Sequence, residues 1–206
     1  MYLDKPLRQY LDDLAAKKPA PGGGSAAALA AAIGTSLMSM VANYTVGKPK
    51  YKDVEAKVAD ILLRVQNFDS ELRSLVDDDV AAYKKLSEGL KAACDDKAKK
   101  EALYKAACEV PFKVCEISAK CLKLCKELAE SGNRNLVTDT AIAAILLEGA
   151  FFSAKYNVYI NLECIEDMDY IGKVHQVLAP LEESIPELKE EILEICEDVI
   201  DTMECK

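Results

Sequence analysis

The sequence predicts an all-α protein, a single-domain antiparallel bundle of long helices over residues 1–206. Three observations carry this. Apolar residues recur at alternating gaps of three and four along almost the whole chain. No stretch alternates with the period of two that a strand requires. The helix-length segments are joined by short polar turns, as in antiparallel bundles. At 206 residues the chain is long enough to bury a substantial core.

The elements follow in order. A first helix covers about 6–17. The loop Pro19-Ala20-Pro21-Gly22-Gly23-Gly24 leads to Ser25, a favourable cap for a small-residue helix reaching about Thr45. Gly47 and Pro49 end that helix. A very long amphipathic helix then spans about 52–91, with the stripe Ile61, Val65, Phe68, Leu72, Val76, Asp79, Tyr83, Leu86 and Leu90. The next runs from about Asp96 to Gly132 and should kink at Pro111. Another covers about 135–164. A shorter one is expected at about 167–178. A last helix is expected from Ser184, where Ser184 and Glu187 make a capping box.

Composition narrows the partners. The net charge is −9 at pH 7, spread along the chain, which argues against nucleic acid and anionic membrane. No charge occurs from Pro19 to Gly47, a length that could span a bilayer. The segment is built of Ala, Gly, Ser and Thr, too weakly apolar for lipid, and reads as a central helix packed by its neighbours. The polar start MYLDKPLRQY carries no secretory signal, so the expected compartment is the cytoplasm. The eight cysteines form no CxxC pair, and only His175 could join them as a ligand. Reduced, mostly buried thiols without a metal are expected. The wide apolar surfaces predict a homodimer.

Three features carry chemistry. Gly22, Gly23 and Gly24 with Ser25 put flexible backbone at a helix N-terminus, where N–H groups can meet a ligand or simply allow close packing. Asp79 falls on the apolar stripe between Val76 and Tyr83, while Asp77 and Asp78 are expected to face solvent. A carboxylate on a buried seam is costly unless paired or used, and desolvation would raise its pKa. The turn from Ser131 to Asp139 offers Asn133, Asn135 and Asp139, either as ligands or as helix caps. Asn157 and Asn161 lie on the same helix face as Asp139. Asp139 and Asn157 are nonetheless roughly 27 Å apart along the axis, too far to meet at one atom.

Taken together, these motifs resemble a known family. The segment from Pro19 to Ser25 opens the match. Val41 to Lys48 with Tyr51, Asp79 with Ala82 and Tyr83, Val110-Pro111, Gly132 to Asn135 with Asp139, and Asn157 to Leu162 continue it in order. The resemblance is to the cyclodeaminase domain of formiminotransferase-cyclodeaminase and to stand-alone methenyltetrahydrofolate cyclohydrolases. It spans about residues 3–200. It implies a helical homodimer that takes a tetrahydrofolate derivative as substrate in a cleft between helices, with no metal and no further cofactor. In roles suggested by that chemistry, Asp79 moves protons and Lys48 stabilises a tetrahedral oxygen or holds a folate carboxylate. Asp139, Asn133 and Asn135 bind the pterin edge, and Gly22–Gly24 meet the glutamate tail or the reacting centre. Ser25, Tyr51, Tyr83 and Asn157 are expected to line the substrate. Cyclohydrolase activity is favoured over cyclodeaminase activity because no formiminotransferase domain accompanies the chain.

Overall fold

A computed structural model describes residues 1–203 as six helices with no strand among them. They are α1 (Leu7–Ala15), α2 (Gly23–Asn43), α3 (Glu55–Ala92), α4 (Lys97–Ser131), α5 (Val137–Leu162) and α6 (Met168–Asp201). Short 3₁₀ turns at Tyr2–Asp4, Pro49–Val54 and Arg134–Leu136 join or precede them. The all-α expectation therefore holds.

The small-residue helix α2 forms the centre and packs against α3, α4 and α5. Ala28, Ala31, Met38, Val41 and Ala42 on α2 are fully buried. Gly34 shows why small residues are needed: a Cβ there would stand 3.1 Å from the Leu147 side chain and 3.3 Å from the Ala143 carbonyl oxygen. Both α2 and the segment Arg134–Leu162 are long and apolar enough to cross a membrane. In this fold they lie side by side, each packed on the bundle along one face and exposed along the other.

Helix α4 carries cysteines as small core residues. The thiols of Cys108, Cys115 and Cys125 donate to the α5 carbonyls of Val158, Phe151 and Thr140. Burial pushes Cys108 to about 11 and Cys115 and Cys121 to about 12, where the thiol stays protonated and unreactive. The seven described cysteines are free thiols, and no cluster of metal-ligating side chains occurs among the described residues. Cys205 lies outside the described residues.

The expected break between two C-terminal helices does not occur. Helix α6 runs unbroken through Pro180 and Pro186, and Ser184 with Glu187 sits inside it, so no capping box forms. One continuous stripe, Val174, Leu178, Ile185, Ile192 and Cys196, is buried against the bundle. Its packing outweighs the hydrogen bonds the two prolines remove. The N-cap of α6 is Asp167, whose carboxylate accepts from the N–H groups of Asp169 and Tyr170. Helix α4 likewise continues through Pro111.

Candidate active site

A cleft of about 450 Å³ opens where the N-terminus of α2 meets α3, α4 and the C-terminal end of α5. Asp79 lies in its wall, with Gly22–Gly24, Tyr83, Tyr104, Pro111 and Asn157 around it. The stripe on α3 explains its position. Leu72, Leu75, Val76 and Val80 are buried, and beyond them the stripe leaves the core to face the cleft, with Tyr83 exposed.

The glycine loop and Asp79 are built around each other. Helix α2 starts at Gly23, with Gly22 as its cap residue. Ser25 is therefore not the cap expected from the sequence. Three glycines let the helix begin three residues earlier, placing Ser25 in its first turn. The Ser25 N–H, unpaired within the helix, donates to Asp79 Oδ2 at 2.9 Å. The Ser25 hydroxyl donates to the Val76 carbonyl at 2.8 Å and lies 3.2 Å from the Tyr10 hydroxyl, which locks loop to α3. Gly24 is dictated by this contact: a Cβ there would stand 2.1 Å from Asp79 Oδ1. The N–H groups of Gly23 and Gly24 have no acceptor among the described residues, so two donors at a helix N-terminus stand beside the carboxylate.

Burial raises the Asp79 carboxyl above the ordinary carboxylate value, and the Ser25 N–H opposes this in part. Asp77, expected in solvent, is instead turned inward: its Oδ1 accepts from the Tyr2 N–H at 2.6 Å and its Oδ2 is buried without a partner. The N-terminal 3₁₀ turn, invisible as a contact in the sequence, covers it. Asp78 is exposed, as expected.

On the opposite wall, Asn157 Nδ2 donates to the Ser153 carbonyl at 3.0 Å, and Asn161 Nδ2 to the Asn157 carbonyl at 2.7 Å. Each keeps its amide oxygen free as an acceptor. Pro111 has no N–H to give Ala107, so the carbonyl of Ala107, which also lines the cleft, lacks its helical donor. Tyr104 and Cys164 complete the wall and escaped the sequence reading, because neither breaks the apolar pattern. Burial and the neighbouring Cys164 thiol push the Tyr104 hydroxyl up.

The remaining expected residues lie elsewhere in the protomer. Asn133 is buried and its polar atoms are spent on structure. Its N–H donates to Thr45 Oγ1 and its Nδ2 to the Tyr44 carbonyl, both at 2.9 Å. Its Oδ1 accepts from Tyr51 Oη and from the Asn135 N–H, both at 3.2 Å. Lys48 reaches over the Tyr44 ring, 5.3 Å from its centroid. Asn135 and Asp139 flank this cluster at the start of α5. It sits at the C-terminal end of α2, about 28 Å along that helix from Ser25. Within one protomer, then, Lys48, Tyr51, Asn133, Asn135 and Asp139 are not brought to Asp79. His175 is exposed and tilts on the Tyr159 ring, outside both clusters.

A helical bundle that presents a desolvated carboxylate and free helix-terminal N–H groups in an open cleft has the parts of an acid–base enzyme. The profile of the family described as formiminotransferase-cyclodeaminase matches residues 6–180, and the chain belongs to that family. The methenyltetrahydrofolate cyclohydrolase of Methylorubrum extorquens is 34% identical over 168 residues, covering 78% of this chain and 81% of that protein. The mouse formimidoyltransferase-cyclodeaminase is 33% identical over 190 residues, covering 87% of this chain and 34% of the longer animal protein. The crystal structure of formiminotetrahydrofolate cyclodeaminase from Thermotoga maritima superimposes with a TM-score of 0.90 at 30% identity, covering 97% of this chain and all of that one.

Proposed function

We propose that this protein is a 5,10-methenyltetrahydrofolate cyclohydrolase whose proton shuttle is Asp79. The observation that carries the reading is the carboxylate itself, desolvated in the cleft wall and held by the Ser25 N–H against a position where only glycine fits. A stand-alone relative of similar length bears that activity in its name, which supports hydrolysis as the reaction.

The chemistry follows from the groups present. The methenyl carbon bridging N5 and N10 is electrophilic and takes up water. Asp79 accepts the proton that the water gives up, leaving a tetrahedral carbinolamine. The free N–H groups of Gly23 and Gly24 are placed to receive developing negative charge. Asp79 then returns its proton to N5 as the carbon–N5 bond breaks, and the carbinolamine hydroxyl gives up its own proton to solvent as the carbonyl forms, giving 10-formyltetrahydrofolate. A carboxylate whose pKa is raised holds a proton more readily than an ordinary one and can still release it, which suits both halves. Asn157, Asn161 and the Ala107 carbonyl supply acceptors for pterin N–H groups, and Tyr83 and Tyr104 supply flat apolar contact. No metal or further cofactor enters this scheme.

A second reading is cyclodeaminase activity on 5-formiminotetrahydrofolate. There N10 attacks the formimino carbon and ammonia leaves with a proton from Asp79. The Thermotoga maritima structure, matched along its whole length, favours this reading. The reading further includes a homodimer working in a reducing cytoplasm, with α2 and α5 as packed helices and not as membrane spans. Five buried thiols support the reducing compartment, and an outer face of α2 and α5 with no charge beyond Asp139 supports the homodimer. Incubating the pure protein with each substrate and following the methenyl chromophore tests the assignment. Loss of the chromophore from 5,10-methenyltetrahydrofolate is the expected result. Its appearance from 5-formiminotetrahydrofolate with ammonia would establish the second reading, and silence with both would overturn the proposal.

A further inference from the structure

Helix α1 is held to the bundle through a hydroxyl group. Tyr10 is the one buried residue of that helix, 3% exposed, while Leu7, Leu11 and Leu14 face solvent. An anchor that served packing alone would do as well with phenylalanine, because a buried hydroxyl is costly unless it is paired. The Tyr10 hydroxyl has one partner among the described residues, Ser25 Oγ at 3.2 Å. The Ser25 proton is committed to the Val76 carbonyl at 2.8 Å. Tyr10 is therefore the donor and Ser25 Oγ the acceptor.

Ser25 in turn grips α3 at two points. Its hydroxyl donates to the Val76 carbonyl and its N–H to Asp79 Oδ2, so the two grips lie about one helical turn apart. Ser25 is fully buried and takes no part in the cleft wall, although Gly22, Gly23 and Gly24 beside it do. Its side chain thus faces α3 and not the substrate it was expected to line. Among the described residues the Asp79 carboxylate accepts only from the Ser25 N–H. The titratable side chains around it are Tyr10 from α1, Tyr83 on α3, and Tyr104, Glu163 and Cys164 in the rest of the cleft wall, and none bonds to it. The carboxylate therefore stands where the first turn of α2 holds it, and Tyr10 fixes that turn.

We infer that Tyr10 and Ser25 are positioning residues for the proton transfer: the phenol holds the Ser25 hydroxyl on α3, and the Ser25 N–H then holds the Asp79 carboxylate at one place in the cleft wall. Neither side chain touches the substrate. Proton transfer is sensitive to such placement, since a shift of about 1 Å costs about 10²-fold. Without the phenolic donor, Ser25 Oγ keeps an unmet acceptor in a buried site and the hydroxyl is free to leave Val76. The N–H then loses its aim at Oδ2. The inference rests on Asp79 as the proton shuttle, and one of its tests does not need the reaction.

Tyr10→Phe tests the inference, because it keeps the ring and its edge contact with Tyr2 and so retains the fold. Its kcat for 5,10-methenyltetrahydrofolate is expected to fall about tenfold with KM unchanged. The acidic limb of its pH profile should move up by about half a pH unit, because the N–H that favours the ionised carboxylate is misaligned. Ser25→Ala should lower kcat at least as far, again with KM unchanged. In the double variant the second change should add nothing, since Tyr10 acts through Ser25. Tyr2→Phe removes a hydroxyl bond to Asp13 on the same segment and should leave kcat and the limb in place. The readout independent of the reaction is the carbon-13 resonance of the Asp79 carboxyl, identified by its loss in Asp79→Asn. Its titration should move up in Tyr10→Phe. A lower thermal midpoint in Tyr10→Phe with kcat, limb and carboxyl titration all unchanged would mean a purely structural tyrosine and overturns the inference. So do additive losses in the double variant, or a raised KM in Ser25→Ala, which would put Ser25 on the substrate. Inactive wild type with a shifted carboxyl titration in Tyr10→Phe overturns the assigned reaction alone and supports the positioning role.

Discussion

At Asp79 the position in sequence and the local geometry agree. The residue is a carboxylate on an apolar stripe, and the structure shows why the stripe tolerates it: the seam leaves the core there and enters a cleft. The Ser25 N–H and the missing side chain of Gly24 make room for the carboxylate and leave it short of solvent. A consequence for stability follows. Burial raises the folded-state pKa above the ordinary carboxylate value, so the folded state binds more protons than the unfolded state once pH passes that value. Stability then falls as pH rises towards the folded pKa, and above it the ionised, desolvated group costs its full amount. Asp79→Asn removes this dependence. Its thermal midpoint relative to wild type should climb between about pH 4 and the folded pKa and stay flat above it, with Asn the more stable at pH 7. Differential scanning calorimetry across this range checks it, and a constant difference between the two proteins would show that Asp79 is not desolvated.

The six helices show what periodicity can and cannot read. α2 through α5 follow from their apolar spacing and from the turns that separate them. Helix α6 does not, because prolines at 180 and 186 and an apparent capping box are local stop signals, whereas the stripe from Val174 to Cys196 that overrides them depends on neighbours far away in sequence. The same holds for Ser25 and Asp77, whose partners Val76, Tyr10 and Tyr2 lie on other elements. Pro180 therefore marks a position where local sequence opposes the fold. It is exposed and removes a helical hydrogen bond, so Pro180→Ala should stabilise the protein by about 1–2 kcal/mol, the helix-interior penalty of proline less its restriction of the unfolded chain. Chemical denaturation measures this. An unchanged or lowered midpoint would mean that the proline bend is part of how α6 fits the bundle.

For the whole molecule, the sequence displayed the polar groups of the site but not their grouping. Gly22–Gly24, Asp79, Tyr83 and Asn157 meet in one cleft of the protomer. Lys48, Tyr51, Asn133, Asn135 and Asp139 gather at the far end of α2, where Asn133 and Tyr51 already serve to tie the loops together. That division follows from α2 and α5 being unbroken helices, and spacing along a helix shows it. What spacing does not show is which end a second subunit would cover. Tyr104 and Cys164 were not legible because an aromatic or a thiol on an amphipathic helix looks the same whether it faces a core or a cleft. The family resemblance and the fold together leave one central claim, that this cleft performs one-carbon chemistry on a tetrahydrofolate through Asp79. The direct measurement is turnover of 5,10-methenyltetrahydrofolate, followed by loss of its chromophore, in wild type and in Asp79→Asn side by side. The account predicts turnover by wild type and a loss of at least about 10²-fold in a variant that remains folded and binds folate within about tenfold. Near-normal turnover in folded Asp79→Asn protein would contradict it.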